Sequence, residues 1–310
     1  MSALICGSMA FDTIMLFKGK FKNHILPDKV HILNVSFLVP EMRREFGGCA
    51  GNIAYGLKML GGNPLPMATV GEDFGPYAKW LERHHIPATH VKVLDDQFTA
   101  QAYITTDLED NQITAFHPGA MSFAHQNRVD DARGVKLGIV APDGHNGMVE
   151  HAEQFADMDI PFIFDPGQGM PMFDGDDFIS FIDQATWITV NDYESQVLQE
   201  RTGLAPHEIA ERVQGYIVTL GAKGTQIYVK DRRIDIPAAA PQHTLDPTGC
   251  GDAFRAGLLY GLMRGMDWET TGRIANLMGA IKIETHGTQN YRCTVGEFHA
   301  RFQENFGYSF

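Results

Sequence analysis

Short apolar runs bounded by glycine, proline or aspartate recur along the chain, at residues 4–6, 65–70, 136–140, 161–164, 187–190 and 216–220. Between several of them lie helix-compatible segments, over residues 52–60, 77–84, 148–157 and 206–214. A strand buried on both faces reads as a continuous apolar run, and strands that alternate with helices build βαβ units. The pattern therefore predicts an α/β fold: a three-layer α/β/α arrangement whose central sheet is mainly parallel, with helices on both faces.

Two stretches break the alternation. Residues 13–45 carry strand-like pieces and no convincing amphipathic helix, and residues 99–116 alternate in period two, as in AQAYITTD and NQITAF around a turn-like DLEDN. Together, residues of about 13–45 and 98–118 predict a small β sheet projecting from the main body as a lid. Hairpins on the edge of the main sheet are the alternative. With no internal repeat, the 310 residues read as one catalytic domain, 1–310, plus this appendage.

Composition narrows the partners. Hydrophobic residues make up 44% and charged residues 20%, which is ordinary for a globular chain. The formal charge is −13, from 38 acidic and 25 basic residues. That balance disfavours the phosphate attraction on which nucleic-acid binding depends and points to a small-molecule ligand. Cys6, Cys49, Cys250 and Cys293 lie far apart with no CxxC pair, as expected of reduced thiols in a cytoplasmic protein. The opening MSALICGSMAFD lacks a basic leader and reads as a first buried strand, and no stretch approaches the length of a membrane span.

Chemistry concentrates in DPTGCGDAFRAGLLYGLMRG, residues 246–265. A turn holding Gly249 and Gly251 leads into apolar residues at helical spacing, so the glycines sit where a helix begins. Free amides at such a start, aided by the helix dipole, form an anion site. Asp252 stands at the same place, where a helix-capping carboxylate is the simpler explanation. An acid at Asp246, a hydroxyl at Thr248, two glycines and Asp252 within seven residues favour a reactive site. The lysine of a Walker A loop is absent.

DPTGCGDAF resembles the DTxGAGD signature of the ribokinase (PfkB) family of sugar and nucleoside kinases. The resemblance implies that Asp252 accepts the proton of a substrate hydroxyl and that the amides of Gly249, Cys250 and Gly251 form an anion hole for the developing phosphoryl charge. Further motifs follow in the family's order. FGGCAGN resembles the segment that holds sugar hydroxyls, which makes Gly47, Gly48 and Asn52 substrate contacts. Asp12, in GSMAFD, matches the acid that pairs with ribose hydroxyls, with Ser8 nearby. VNDYE resembles the NxxE motif, placing Asn191 at the nucleotide phosphates and Glu194 in the water shell of Mg²⁺. On residue chemistry alone that motif reads as a helix cap.

VTLGAKGT resembles the strand and loop bordering ATP, with Thr219, Gly221 and Gly224 as contacts and Lys223 read as solvated surface. Asn276, in IANLMGAIKIETHGTQ, falls at a nucleotide-contacting position, while His286 reads as a loop residue. Family members often bind a monovalent cation beside the anion hole. The resemblance thus implies K⁺ at Asp246 and Thr248, with carbonyls around Lys282, Thr285 and Gly287.

Substrate choice turns on departures from the ribokinase subtype. Where ribokinases place a glutamate against the anomeric end of the sugar, IVAPDGHNG offers Ala141 and Pro142, leaving room for a base. Phe116, His117, Phe164 and Gln168 are residue types that stack on a base or bond its edge, and the aromatics are equally suited to a core. The expected activity is that of an adenosine-kinase-like nucleoside kinase, passing the γ-phosphoryl of ATP to the 5′-hydroxyl of a ribonucleoside with Mg²⁺, in purine salvage. A ribose or fructose kinase is the alternative within the family, and an inactive ligand-binding relative the alternative outside it. Parts of the family dimerise through the lid, and the resemblance leaves a homodimer open.

Overall fold

The computed structural model describes residues 1–25, 34–109 and 111–310. Part of the expected lid, residues 26–33, lies outside the described residues. Among these residues a central sheet takes the order β13-β12-β11-β10-β9-β8-β1-β4-β5. Its strands are β1 (Ala3–Cys6), β4 (Pro64–Gly71), β5 (His90–Leu94), β8 (Gly138–Val140), β9 (Phe162–Phe164), β10 (Trp187–Asn191), β11 (Gly215–Thr219), β12 (Thr225–Val229) and β13 (Arg232–Ile236). Pairing is parallel from β5 through to β11, and β12 and β13 close the sheet antiparallel.

The apolar runs are continuous because each serves two cores. Ala3, Ile5, Ile139, Ile163 and Ile217 face one hydrophobic cluster. Their neighbours Leu4, Cys6, Val140, Phe162, Phe164, Tyr216 and Val218 face the other. Side chains that alternate across a strand thus find an apolar layer on either side. The first layer holds α1 (Cys49–Met59), α2 (Gly75–Arg83), α7 (Cys250–Met263), α8 (Trp268–Lys282) and α9 (Val295–Phe306). The second holds α3 (His145–Asp157), α4 (Gly175–Gln184), α5 (Asp192–Thr202) and α6 (Pro206–Arg212).

A separate four-stranded sheet takes the order β3-β2-β6-β7, from β2 (Ala10–Leu16), β3 (Glu41–Gly47), β6 (Ala100–Thr106) and β7 (Gln112–His117). It is the expected lid sheet rather than hairpins on the main edge, and it begins and ends slightly outside the anticipated bounds, at Ala10 and Gly47. Only Gly7, Ser8 and Met9 separate β1 from β2, and Gly48 alone separates β3 from α1. Residues at these two joints consequently sit where both sheets meet.

Candidate active site

Gly249 adopts the left-handed conformation, φ 79°, ahead of α7, and Asp252 follows in the first turn. A carboxylate there would ordinarily cap the helix, yet this one makes no capping bond. Its Oδ2 instead accepts from Asn52 Nδ2 at 2.8 Å, across from α1. Burial raises the Asp252 pKa to about 6, with the hydrogen bond from Asn52 and the charge of Arg255 opposing and that of Asp165 adding.

The orientation of Asn52 is set from outside. Trp80 Nε1 donates to Gln289 Oε1 at 2.9 Å, and an indole can only donate. The amide of Gln289 must therefore turn its nitrogen inward, where Nε2 donates to Asn52 Oδ1 at 2.9 Å and to the Tyr77 hydroxyl at 2.7 Å. With Oδ1 of Asn52 so engaged, its Nδ2 faces Asp252. Tyr77 passes its own proton to the Gly47 carbonyl at 2.8 Å. The row thus diverges from the Gln289 amide, donating through Tyr77 to the end of β3 on one side and through Asn52 to the Asp252 carboxylate on the other.

Gly47 and Gly48 are glycines for steric reasons. A Cβ on Gly47 would run into the Asp12 carboxylate. Gly48 has φ 84°, and a Cβ there would lie 2.6 Å from Met9 Cα. Asp12 is half-buried and accepts no hydrogen bond among the described residues, and burial together with the charge of Glu45 raises its pKa to about 6. It is an acceptor in need of donors. Ser8 differs: its Oγ accepts from the Cys49 amide at 3.2 Å at the start of α1, which leaves its O–H to donate.

Amides at the start of α7 are unequally available. Those of Gly249, Gly251 and Asp252 find no acceptor among the described residues, whereas Cys250 N–H donates to the Pro247 carbonyl at 3.1 Å. Of the expected trio of Gly249, Cys250 and Gly251, the Cys250 N–H is engaged within the turn, and the Asp252 amide lies beside those of Gly249 and Gly251 with no acceptor among the described residues.

Behind this turn lies an ion pair that sequence reasoning missed. Arg255 Nε and Nη2 each donate to the Asp165 carboxylate at 2.9 Å, with both side chains buried. Arg255 Nη2 lies 4.0 Å from Glu194 Oε2. The available signal was an arginine inside the apolar run AFRAGLLYGL, since a charge at a core position requires a buried partner. Gln289 carried no comparable signal.

Asn191 and Glu194 form a reciprocal cap on α5: Asn191 Oδ1 accepts from Glu194 N at 2.8 Å and Glu194 Oε2 from Asn191 N at 2.7 Å. Burial and the charge of Asp165 raise the Glu194 pKa, while Arg255 lowers it. No group of three His, Cys, Asp or Glu side chains that could hold a metal occurs among the described residues. The chemistry of this donor set fits Mg²⁺ held by phosphates and water, with Glu194 in an outer position.

At the far end, Gly221 and Gly224 have φ 57° and 92° in the loop between β11 and β12, and Thr219 Oγ1 donates to the Val190 carbonyl at 3.4 Å. Asn276 accepts from Thr225 Oγ1 at 2.7 Å and donates to the Pro237 carbonyl at 2.9 Å, so it braces α8 against β12. Gln168 is exposed, with Nε2 3.7 Å from Cys49 Sγ beside α1. Phe164 is fully buried and stacks on Phe181, which removes it as a base contact, while Phe116 is exposed on β7.

Asp246 and Thr248 stand apart from these. Asp246 Oδ1 accepts from Thr248 N and Oδ2 from Gly287 N, both at 2.9 Å. Burial opposes, but these bonds win and hold its carboxyl below the ordinary value. Of the carbonyls expected around K⁺, that of Thr285 accepts from Lys282 Nζ at 3.1 Å, and the same ammonium donates to the Asp246 carbonyl at 2.7 Å.

Comparison with known proteins agrees with this constellation. Residues 23–294 match the model of the pfkB family carbohydrate kinases. The structure of Burkholderia thailandensis nucleoside kinase in complex with inosine is 52% identical, with TM-score 0.90 and 99% of each chain covered. The same enzyme in complex with ADP-inosine superposes with TM-score 0.88 at 54% identity, over 99% of this chain and 97% of that one. The nucleoside kinase of Methanocaldococcus jannaschii is 30% identical over 258 residues, 83% of this chain and 85% of its own. With the Asp252 carboxylate held by Asn52 at an amide-lined helix start and a family match over most of its length, the chain belongs to the pfkB family of carbohydrate kinases.

Proposed function

We propose that the protein is an ATP-dependent nucleoside kinase that phosphorylates the 5′-hydroxyl of a ribonucleoside, with purine nucleosides preferred. The observation that carries the mechanism is Asp252, held by Asn52 at the mouth of unpaired amides. An alcohol is a weak nucleophile, and a carboxylate that accepts its proton as the O–P bond forms assists an otherwise positional and electrostatic reaction. A pKa of about 6 leaves Asp252 ionised at neutral pH yet more basic than a free aspartate.

Asp12 binds the substrate. Its carboxylate accepts from the two ribose hydroxyls, which anchors the sugar and turns the 5′ end toward Asp252. The amides of Gly249, Gly251 and Asp252 receive charge on the transferred group, on the dipole of α7. Thr219, Gly221 and Gly224 border the nucleotide, and Asn191 and Glu194 lie at its phosphates. Mg²⁺, when bound, neutralises charge on the β and γ phosphates, and Glu194 orders its water. The lid sheet brings Asp12 over the acceptor and excludes water. Nucleoside acceptors are supported by the relative captured with inosine and by Ala141, fully buried where a ribokinase would present its acid. Four free thiols suit a cytoplasmic setting, and among the described residues no helix is long and apolar enough to cross a membrane.

A coupled ADP-release assay tests the reading with inosine, adenosine, guanosine, cytidine, ribose and fructose, beside Asp252→Asn. Nucleoside turnover that collapses in the variant is expected. Turnover of free sugars alone would transfer the protein to the sugar-kinase branch.

A further inference from the structure

The turn that presents the anion-hole amides rests on a buried lysine. Lys282, the last residue of α8, has a side chain with no exposed surface. Its ammonium donates to the carbonyl oxygens of Asp246 at 2.7 Å and Thr285 at 3.1 Å, and lies 4.0 Å from Asp246 Oδ2. The two carbonyls come from the loops on either side of the site, one before α7 and one after α8. These loops touch, since a Cβ on Gly249 would lie 3.0 Å from Thr288 Cγ2.

Asp246 and the carbonyl of Thr285 belong to the oxygen set at which the family resemblance places potassium. An ammonium group and a potassium ion carry the same charge and are close in size, so oxygens arranged around one suit the other. They cannot hold both side by side, because a second cation would share its ligands with a like charge in poorly solvated surroundings. The donor set does not fit an added potassium ion.

We propose that Lys282 is a positioning residue whose ammonium supplies, from within the chain, the positive charge behind the anion hole, so that phosphoryl transfer requires no monovalent cation. It acts through the loop. By drawing the carbonyl oxygens of Asp246 and Thr285 toward itself, it keeps their negative ends away from the incoming phosphoryl group and leaves the amides of Gly249 and Gly251 facing forward.

The inference rests on the kinase reading above, and the experiment separates the two. Steady-state turnover of inosine with ATP and Mg²⁺ is measured in potassium chloride and in tetramethylammonium chloride at equal ionic strength. Wild-type kcat is expected to agree within about twofold between the salts, because exposed charges are screened alike in both. A fall of about tenfold or more on removing potassium overturns the proposal. Silence in both salts overturns the kinase reading and this inference with it.

Lys282→Met then tests the residue. Its kcat in tetramethylammonium should fall by about tenfold or more, with KM for inosine little changed, and potassium or ammonium ions should restore part of the loss in the variant alone. A variant with unchanged unfolding midpoint and wild-type kcat in tetramethylammonium contradicts the proposal. Should Lys282→Met fail to fold, the wild-type salt comparison still decides.

Discussion

Two carboxylates, Asp12 and Asp252, share a pKa of about 6 for the same leading reason, burial, and both must be ionised for the free enzyme to engage substrate. Each loses its acceptor capacity as pH falls through that value. The acid limb of kcat/KM should therefore approach a slope of two below about pH 6, and that of kcat, where bound ribose already occupies Asp12, a slope of one. Rate profiles between pH 5 and 8 with inosine would show this, and a flat profile over the range would exclude Asp252 as the base. Asp252→Asn should lower kcat by about 10²–10⁴-fold with the fold intact.

Asp143 illustrates a burden unrelated to the reaction. It is 2% exposed, its Oδ1 accepts from Gly144 N at 2.9 Å, its Oδ2 has no partner among the described residues, and burial raises its pKa to about 8. In the folded state it keeps its proton where the unfolded chain has already released one. Stability conferred relative to an ordinary aspartate is thus lost progressively as pH rises from about 4 to about 8. Asp143→Asn keeps the Oδ1 acceptor and removes the ionisation. It should raise the unfolding midpoint at pH 8 by the equivalent of about 1 kcal/mol or more and change it little at pH 4.5.

At the scale of elements, α7 and α8 meet along small residues. A Cβ on Gly257 would lie 2.6 Å from Ala275 Cα, a backbone contact that no side-chain rotation relieves. Because α7 carries Asp252 and α8 ends in Lys282, a shift between these helices changes the spacing of the reactive turn. Gly257→Ala should cost about 1–3 kcal/mol in unfolding experiments and lower kcat more than it raises KM.

Element types were legible where they repeat locally. The apolar runs of β1, β4 and β8–β11 and the glycine turn into α7 carry their own signals. The antiparallel hairpin of β12 and β13 was not read from the sequence, since short strands such as RRIDI alternate weakly and are mostly exposed. Long-range partners were invisible for a different reason. Arg255 and Asp165 are 90 residues apart, and Gln289 and Asn52 are 237 apart, so no periodicity or spacing links them. For Lys282 the sequence pointed to its carbonyl, whereas the contact the structure shows is its ammonium at the carbonyl oxygens of Asp246 and Thr285.

Across the whole molecule, the proposed function divides recognition and reaction between the lid sheet and the main body. Asp12 belongs to a lid strand and Asp252 to a helix of the main body, and the row of Tyr77, Gln289 and Asn52 ties Asp252 to Gly47 at the end of the neighbouring lid strand β3. Asp12→Asn should therefore weaken ribonucleosides by about 10–100-fold in kcat/KM while leaving 2′-deoxy analogues less affected, which competition assays with paired nucleosides would measure. Equal losses for both sugars would place the ribose hydroxyls elsewhere.

The three-residue joint between β1 and β2 has a last consequence. On the proposed reading, a ribonucleoside whose hydroxyls engage Asp12 on the lid sheet and whose 5′ end meets Asp252 on the main body would tie the two together, which a water molecule at Asp252 would not do, so ATP hydrolysis without an acceptor is expected to be slow beside turnover of inosine.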